Sequence, residues 1–97
     1  MRGFKVNLGV LFYKEGEKII AFSPALDIST CGRSFEQAKR RFEELVNIFI
    51  AEAKKMGTLE KVLQDLGWKK VTKPEPRMIP PQEIGHLRET VMIPLSV

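Results

Sequence analysis

Several chemistries are excluded by what this sequence has little of. Cysteine occurs once, at Cys31, so no internal disulfide forms and a reducing compartment fits the composition. Histidine also occurs once, at His86, far along the chain from Cys31. A thiolate nucleophile needs a base within reach, so Cys31 reads as a small hydrophobe at the end of a strand. The same scarcity denies a metal site its paired-ligand spacing. There is no glycine-rich phosphate loop and no nucleophile elbow. No apolar run approaches the roughly 20 residues that span a bilayer, and no signal-peptide core follows Met1 and Arg2. A cytoplasmic protein without a membrane partner is expected.

Charge of one sign is also scarce. The net +4 comes from 16 basic and 12 acidic residues, and neither half of the chain is a basic arm. Nucleic-acid binding therefore draws only weak support from charge. Ninety-seven residues, 43% hydrophobic and 29% charged, suit one modest core rather than two.

What the chain does have is an amphipathic stretch from Gly32 to Gly57. Ser34 stands three residues before Gln37, the spacing of a capping box in which each side chain satisfies the other's orphan backbone donor. Phe35, Ala38, Phe42, Leu45, Val46, Phe49, Ile50 and Ala53 follow at three- and four-residue steps. They fall within an arc of roughly 140° on a helical wheel, one packed face of a surface helix. Lys54 and Lys55 oppose the negative end of the helix dipole, and Gly57 suits the left-handed stop.

The preceding residues read as the sheet under that helix. Phe4 to Tyr13 alternates, with Phe4, Val6, Leu8, Val10 and Phe12 on one side, a half-buried strand. Lys14-Glu15-Gly16-Glu17 is a turn, Lys18 to Phe22 the return strand, and Ser23-Pro24-Ala25 an interruption, because proline has no donor for a ladder. Leu26 to Cys31 is a third strand. After the long helix, Thr58 caps a short one carrying Leu59, Val62, Leu63 and Leu66, and Gly67 stops it. Trp68 is expected to fold back over it as a hydrophobic plug.

From Lys69 to Pro81 the prolines 74, 76, 80 and 81 lie among basic residues and read as an extended arm or linker. Glu89 to Leu95 regains strand character. Thr90, Met92 and Pro94 share one side, and Val91, Ile93 and Leu95 share the other. Apolar residues on both sides call for pairing, either with the chain's own sheet or with another chain's. Thr90, Val91, Met92, Ile93 and Leu95 are the candidate oligomer- or partner-binding residues. The fold class is α+β: a three-stranded antiparallel meander plus a C-terminal strand, with one long and one short helix on one face. Residues 1–68 form the main unit, and 69–97 the proline-rich arm and last strand.

Side chains able to do chemistry are few. Asp27 is the only acid expected within a strand, Glu15 and Glu17 lie in a turn, and Glu36, Glu43, Glu44 and Glu52 face solvent on the helix. A two-metal site needs several converging carboxylates, so no catalytic, metal or cofactor residues are assigned and an enzyme is not expected. Lys39-Arg40-Arg41 is the densest basic run. Glu36, Glu43 and Glu44 stand four residues from Arg40, Lys39 and Arg40 respectively and are expected to pair with them. A nucleic-acid-binding module built on Lys39, Arg40, Lys69, Lys70 and Arg77 is the alternative.

Residues 20–38, IAFSPALDISTCGRSFEQA, resemble the signature of HicB-family antitoxins: a strand, a proline and leucine, a short strand, glycine, a Ser/Thr cap and Glu-x-Ala opening a helix. Pro24, Leu26, Gly32, Ser34, Glu36 and Ala38 carry the match, which extends over roughly residues 5–67. The resemblance implies a partial RNase H-like fold without catalytic acids. It also implies binding and silencing of a HicA-type toxin, a small ribonuclease. The chain departs from the pattern at Ala25 and Asp27, and no helices follow its last strand. A ribbon-helix-helix for operator DNA is therefore not expected, whereas a homo-oligomer, a dimer or tetramer, is.

Overall fold

The computed structural model describes residues 3–96. Three strands, β1 (Leu11–Glu15), β2 (Lys18–Ser23) and β3 (Ile28–Gly32), form an antiparallel sheet in the order β1-β2-β3. Helices α1 (Phe35–Lys55) and α2 (Leu59–Asp65) follow, then a two-stranded hairpin of β4 (Lys69–Val71) and β5 (Arg77–Ile79). The architecture is α+β, as the alternation and helical periodicity require.

The ladder of β1 is shorter than the alternation from Phe4 implies. Leu11 pairs with Phe22, and extending that register would set Gly9 against Pro24, which has no N–H to offer. The strand therefore begins where its partner's donors begin. At the other end Glu15 pairs with Lys18, so the turn is only Gly16-Glu17, with Gly16 at φ +60°. Glycine first in a two-residue loop matches the twist of the flanking strands. The third strand starts at Ile28 rather than Leu26, because residues 24–27 form a turn closed by Asp27 N–H donating to the Ser23 carbonyl at 2.8 Å. Asp27 takes φ +54° there, a conformation its short polar side chain tolerates.

Helix α1 starts and stops largely as its sequence dictates. Ser34 Oγ accepts from Gln37 N–H at 3.1 Å. The return bond differs from a strict capping box: Gln37 Oε1 accepts from Arg33 N–H, one residue earlier, at 2.7 Å. At the far end Thr58 N–H reaches the Ala53 carbonyl and Gly57 N–H the Lys54 carbonyl, with Gly57 at φ +71°. This pair of bonds is the Schellman motif. The same pair recurs after α2, from Trp68 to Leu63 and from Gly67 to Gln64. Thr58 differs from expectation: its side chain does not cap α2 and turns back toward the Ala53 carbonyl.

Two small cores join under α1. Ala21, Ala38 and Phe42 form one, against Val10, Phe12 and Ile19; Leu26, Leu63, Trp68 and Met78 form the other, against Leu8, Phe49 and Leu59. Ile28 and Val46 touch both. Trp68 folds back as its position suggests, and its indole N–H donates to the Ala25 carbonyl at 2.8 Å. Of the expected helix face, Ala38, Phe42 and Ala53 are buried, whereas Phe35 and Ile50 are 50% and 40% exposed. Phe35 lies in the first turn and stacks on Phe12, ring centroids 4.4 Å apart.

The expected arm at 69–81 is instead the β4–β5 hairpin, and Met78 from it enters the core beside Trp68. Pro74 and Pro76 fall in the connection, where no ladder donor is needed. Arg77 Nη1 ties that connection by donating to the Lys73 and Glu75 carbonyls. The expected strand at Glu89–Leu95 does not form within the single chain: residues 81–96 are exposed and carry no ladder. A strand exists only with a partner edge, and none of the chain's own edges lies against it.

Candidate protein-interaction surfaces

Strand register decides which side chains share a face. Phe12, Ile19, Ala21, Ser23, Ile28, Thr30 and Gly32 lie on the side that α1 covers. Leu11, Tyr13, Glu15, Lys18, Ile20, Phe22, Ser29 and Cys31 lie on the other. Leu11 is directly opposite Phe22 and Tyr13 opposite Ile20, and Cys31 is next to Ile20 on β3. Helix α1 packs on β2 and β3 from the first side only. The second side is an open apolar face, with Leu11 and Tyr13 43% and 54% exposed. Glu15 continues the open side at the hairpin tip, opposite Lys18.

A second apolar surface is a cleft of about 510 Å³ between the N-terminal segment and the two helices. Phe4, Val6, Leu8, Ile50, Leu59 and Trp68 line it, together with Lys54 and Glu60. The alternation of the N-terminal residues persists here without a ladder, since Val6, Leu8, Val10 and Phe12 all turn toward α1. The third surface is the C-terminal segment. Val91, Met92, Ile93 and Leu95, expected to bind a partner, are all exposed, as is Thr90.

The basic residues do not form one patch. Lys39 pairs with Glu43 at 3.4 Å as expected, but the Glu36–Arg40 and Arg40–Glu44 pairs do not form. Arg41 Nη1 instead donates to the Cys31 carbonyl at 2.9 Å, tying α1 to β3. Lys70 is held by Glu60 at 3.0 Å, and Arg77 is occupied with its own loop. Lys39 and Arg40 lie on α1, whereas Lys69, Lys70 and Arg77 belong to the hairpin. Among the described residues no three His, Cys, Asp or Glu side chains gather to hold a metal ion, and no helix is long and apolar enough to cross a membrane. No family model matches this chain, and no curated protein or solved structure matches it either.

Proposed function

We propose that this chain is a HicB-like antitoxin domain that silences a small HicA-type ribonuclease by covering its RNA-cutting surface, with no catalysis of its own. The observation that carries this proposal is the uncovered sheet face, where Leu11, Tyr13, Ile20 and Phe22 adjoin on a hydrogen-bonded ladder with no helix over them. Apolar surface gathered in this way on a small domain marks a place for a protein partner. Tyrosine and phenylalanine on a fixed ladder supply large contact area at little entropic cost.

The residues of the HicB resemblance supply the junction on which this face depends. A Cβ at Gly32 would sit 2.6 Å from the Ala38 nitrogen, so only glycine lets the end of β3 meet the first turn of α1. Ser34 caps that turn, and Ala38 is fully buried beneath it. Neutralisation is steric and stoichiometric: the toxin's substrate groove is closed while the sheet lies over it. The partner is sought as a small basic protein with one central histidine encoded in the adjacent reading frame. Mixing the two purified proteins is expected to give a defined complex and to abolish RNA cleavage at equimolar ratio. Cleavage that continues at full rate in excess antitoxin contradicts the proposal.

A further inference from the structure

Two stretches of this chain carry regularly spaced apolar residues and no ladder. Outside the strands and helices, the backbone hydrogen bonds involve neither residues 4–9 nor residues 83–95. The first stretch forms one wall of the apolar cleft, in which Phe4, Val6 and Ile50 remain open to solvent. The second stands clear of the body. A compact chain of this length has a radius of gyration of about 12.5 Å, whereas this one has 16.6 Å and a long axis of 56 Å. Met92 and Leu95 are 91% and 86% exposed.

We propose that the chain forms a two-fold dimer in which residues 89–95 of each copy lie in the other copy's cleft. The tail runs beside the second copy's residues 4–9, with Val91, Ile93 and Leu95 directed inward. Each stretch then supplies the backbone partners and the apolar cover that the other lacks. Seven residues of strand span about 23 Å, close to the two shorter extents of the chain, 28 and 21 Å.

The tail's own body is not its host. Glu83 Oε2 lies 3.8 Å from where a Cβ on Gly9 would stand, so the tail begins against its own N-terminal segment. From there every residue to 96 is exposed, and the chain's own cleft stays unfilled. Reciprocal exchange fills two clefts with two tails and closes the assembly, because the same pair of surfaces meets twice. The interface uses neither Leu11 nor Tyr13, so it is independent of the toxin-binding face.

The test uses the full chain alone. Sedimentation equilibrium is expected to give a dimer for the wild type. Ile93→Asp in the tail and Ile50→Asp in the cleft should each weaken it by more than about tenfold, because each buries an unpaired charge. Ile50 is a half-open helix-surface position, and circular dichroism verifies that both variants fold. Mixing the two variants is the decisive step. The intact tail of Ile50→Asp meets the intact cleft of Ile93→Asp, so one of the two junctions returns and a heterodimer forms. A monomeric wild type overturns the proposal, as do variants that dimerise normally. Variants that stay monomeric when mixed also overturn it, since tail and cleft would then not be each other's partners.

Discussion

The two faces of the three-stranded sheet are built from different side chains. The side under α1 carries Ala21, Ser23, Thr30 and Gly32, small enough for the helix backbone to come close, beside Phe12, Ile19 and Ile28, and Ala21 and Ala38 are wholly buried there. The open side carries Leu11, Tyr13, Ile20 and Phe22, large side chains with no helix over them; Leu11 and Tyr13 are exposed, and Ile20 and Phe22 are half-buried. A sheet with one dry face keeps polar residues on the other. Here the outer side mixes Glu15, Lys18 and Ser29 with four large apolar side chains, more contact area than a solvated face needs. The covered side makes the fold; the outer side is available for a partner.

Substitutions on the two faces should therefore separate stability from binding. The largest loss of stability is expected from Phe42→Ala, which empties the site between α1 and the sheet where Phe42 is 5% exposed. Roughly 3–4 kcal/mol is expected for such a truncation, read as a lower urea midpoint at unchanged slope. Next comes Gly32→Ala. Its methyl would press on the backbone of Gln37 and Ala38, which cannot swing aside as a side chain would. A cost of about 2 kcal/mol is expected from this overpacking, visible as a lower thermal midpoint. Ser34→Ala removes the cap on Gln37 N–H and should cost about 1 kcal/mol.

The smallest stability effect belongs to the open face. Leu11→Ser and Tyr13→Ser should each change stability by less than about 0.5 kcal/mol, yet both should weaken toxin inhibition in the RNA-cleavage assay. If these two variants unfold the protein while Phe42→Ala does not, the two faces have been assigned the wrong way round.

Much of the closed half could be read in the sequence. Helix α1 announces itself through its spacing, its Ser34 cap and its Gly57 stop, all local signals that tertiary contacts then reinforce. The first hairpin is marked by Gly16 between two alternating runs. The β4–β5 hairpin was hidden because four prolines suggested that no ladder could form. In fact the proline-free triplets Lys69–Val71 and Arg77–Ile79 do the pairing, and three residues are too few for period two to be visible. The truncation of β1 depends on a register that sets Pro24 opposite Gly9, which a single strand's pattern does not contain.

The candidate sites were legible to a lesser degree. The alternation of Thr90 to Leu95 marks an apolar strand-like segment, but its edge partner lies outside its own sequence. The open face became apparent only when Leu11 was set opposite Phe22 and Tyr13 opposite Ile20. Each of those residues alone reads as an ordinary strand hydrophobe. The basic run at 39–41 was legible in part. Its spacing gives the Lys39–Glu43 pair correctly, but not the Arg41 bond to the Cys31 carbonyl, which depends on how β3 meets α1.

An NMR titration of the isotopically labelled chain with the purified ribonuclease probes the two-faced sheet most directly. Amide shifts should move at Leu11, Tyr13, Ile20, Phe22 and Cys31, with little change along Ala38 to Ala53. Shifts concentrated on α1, with the strands unmoved, would contradict the proposal that the bulky side takes a toxin.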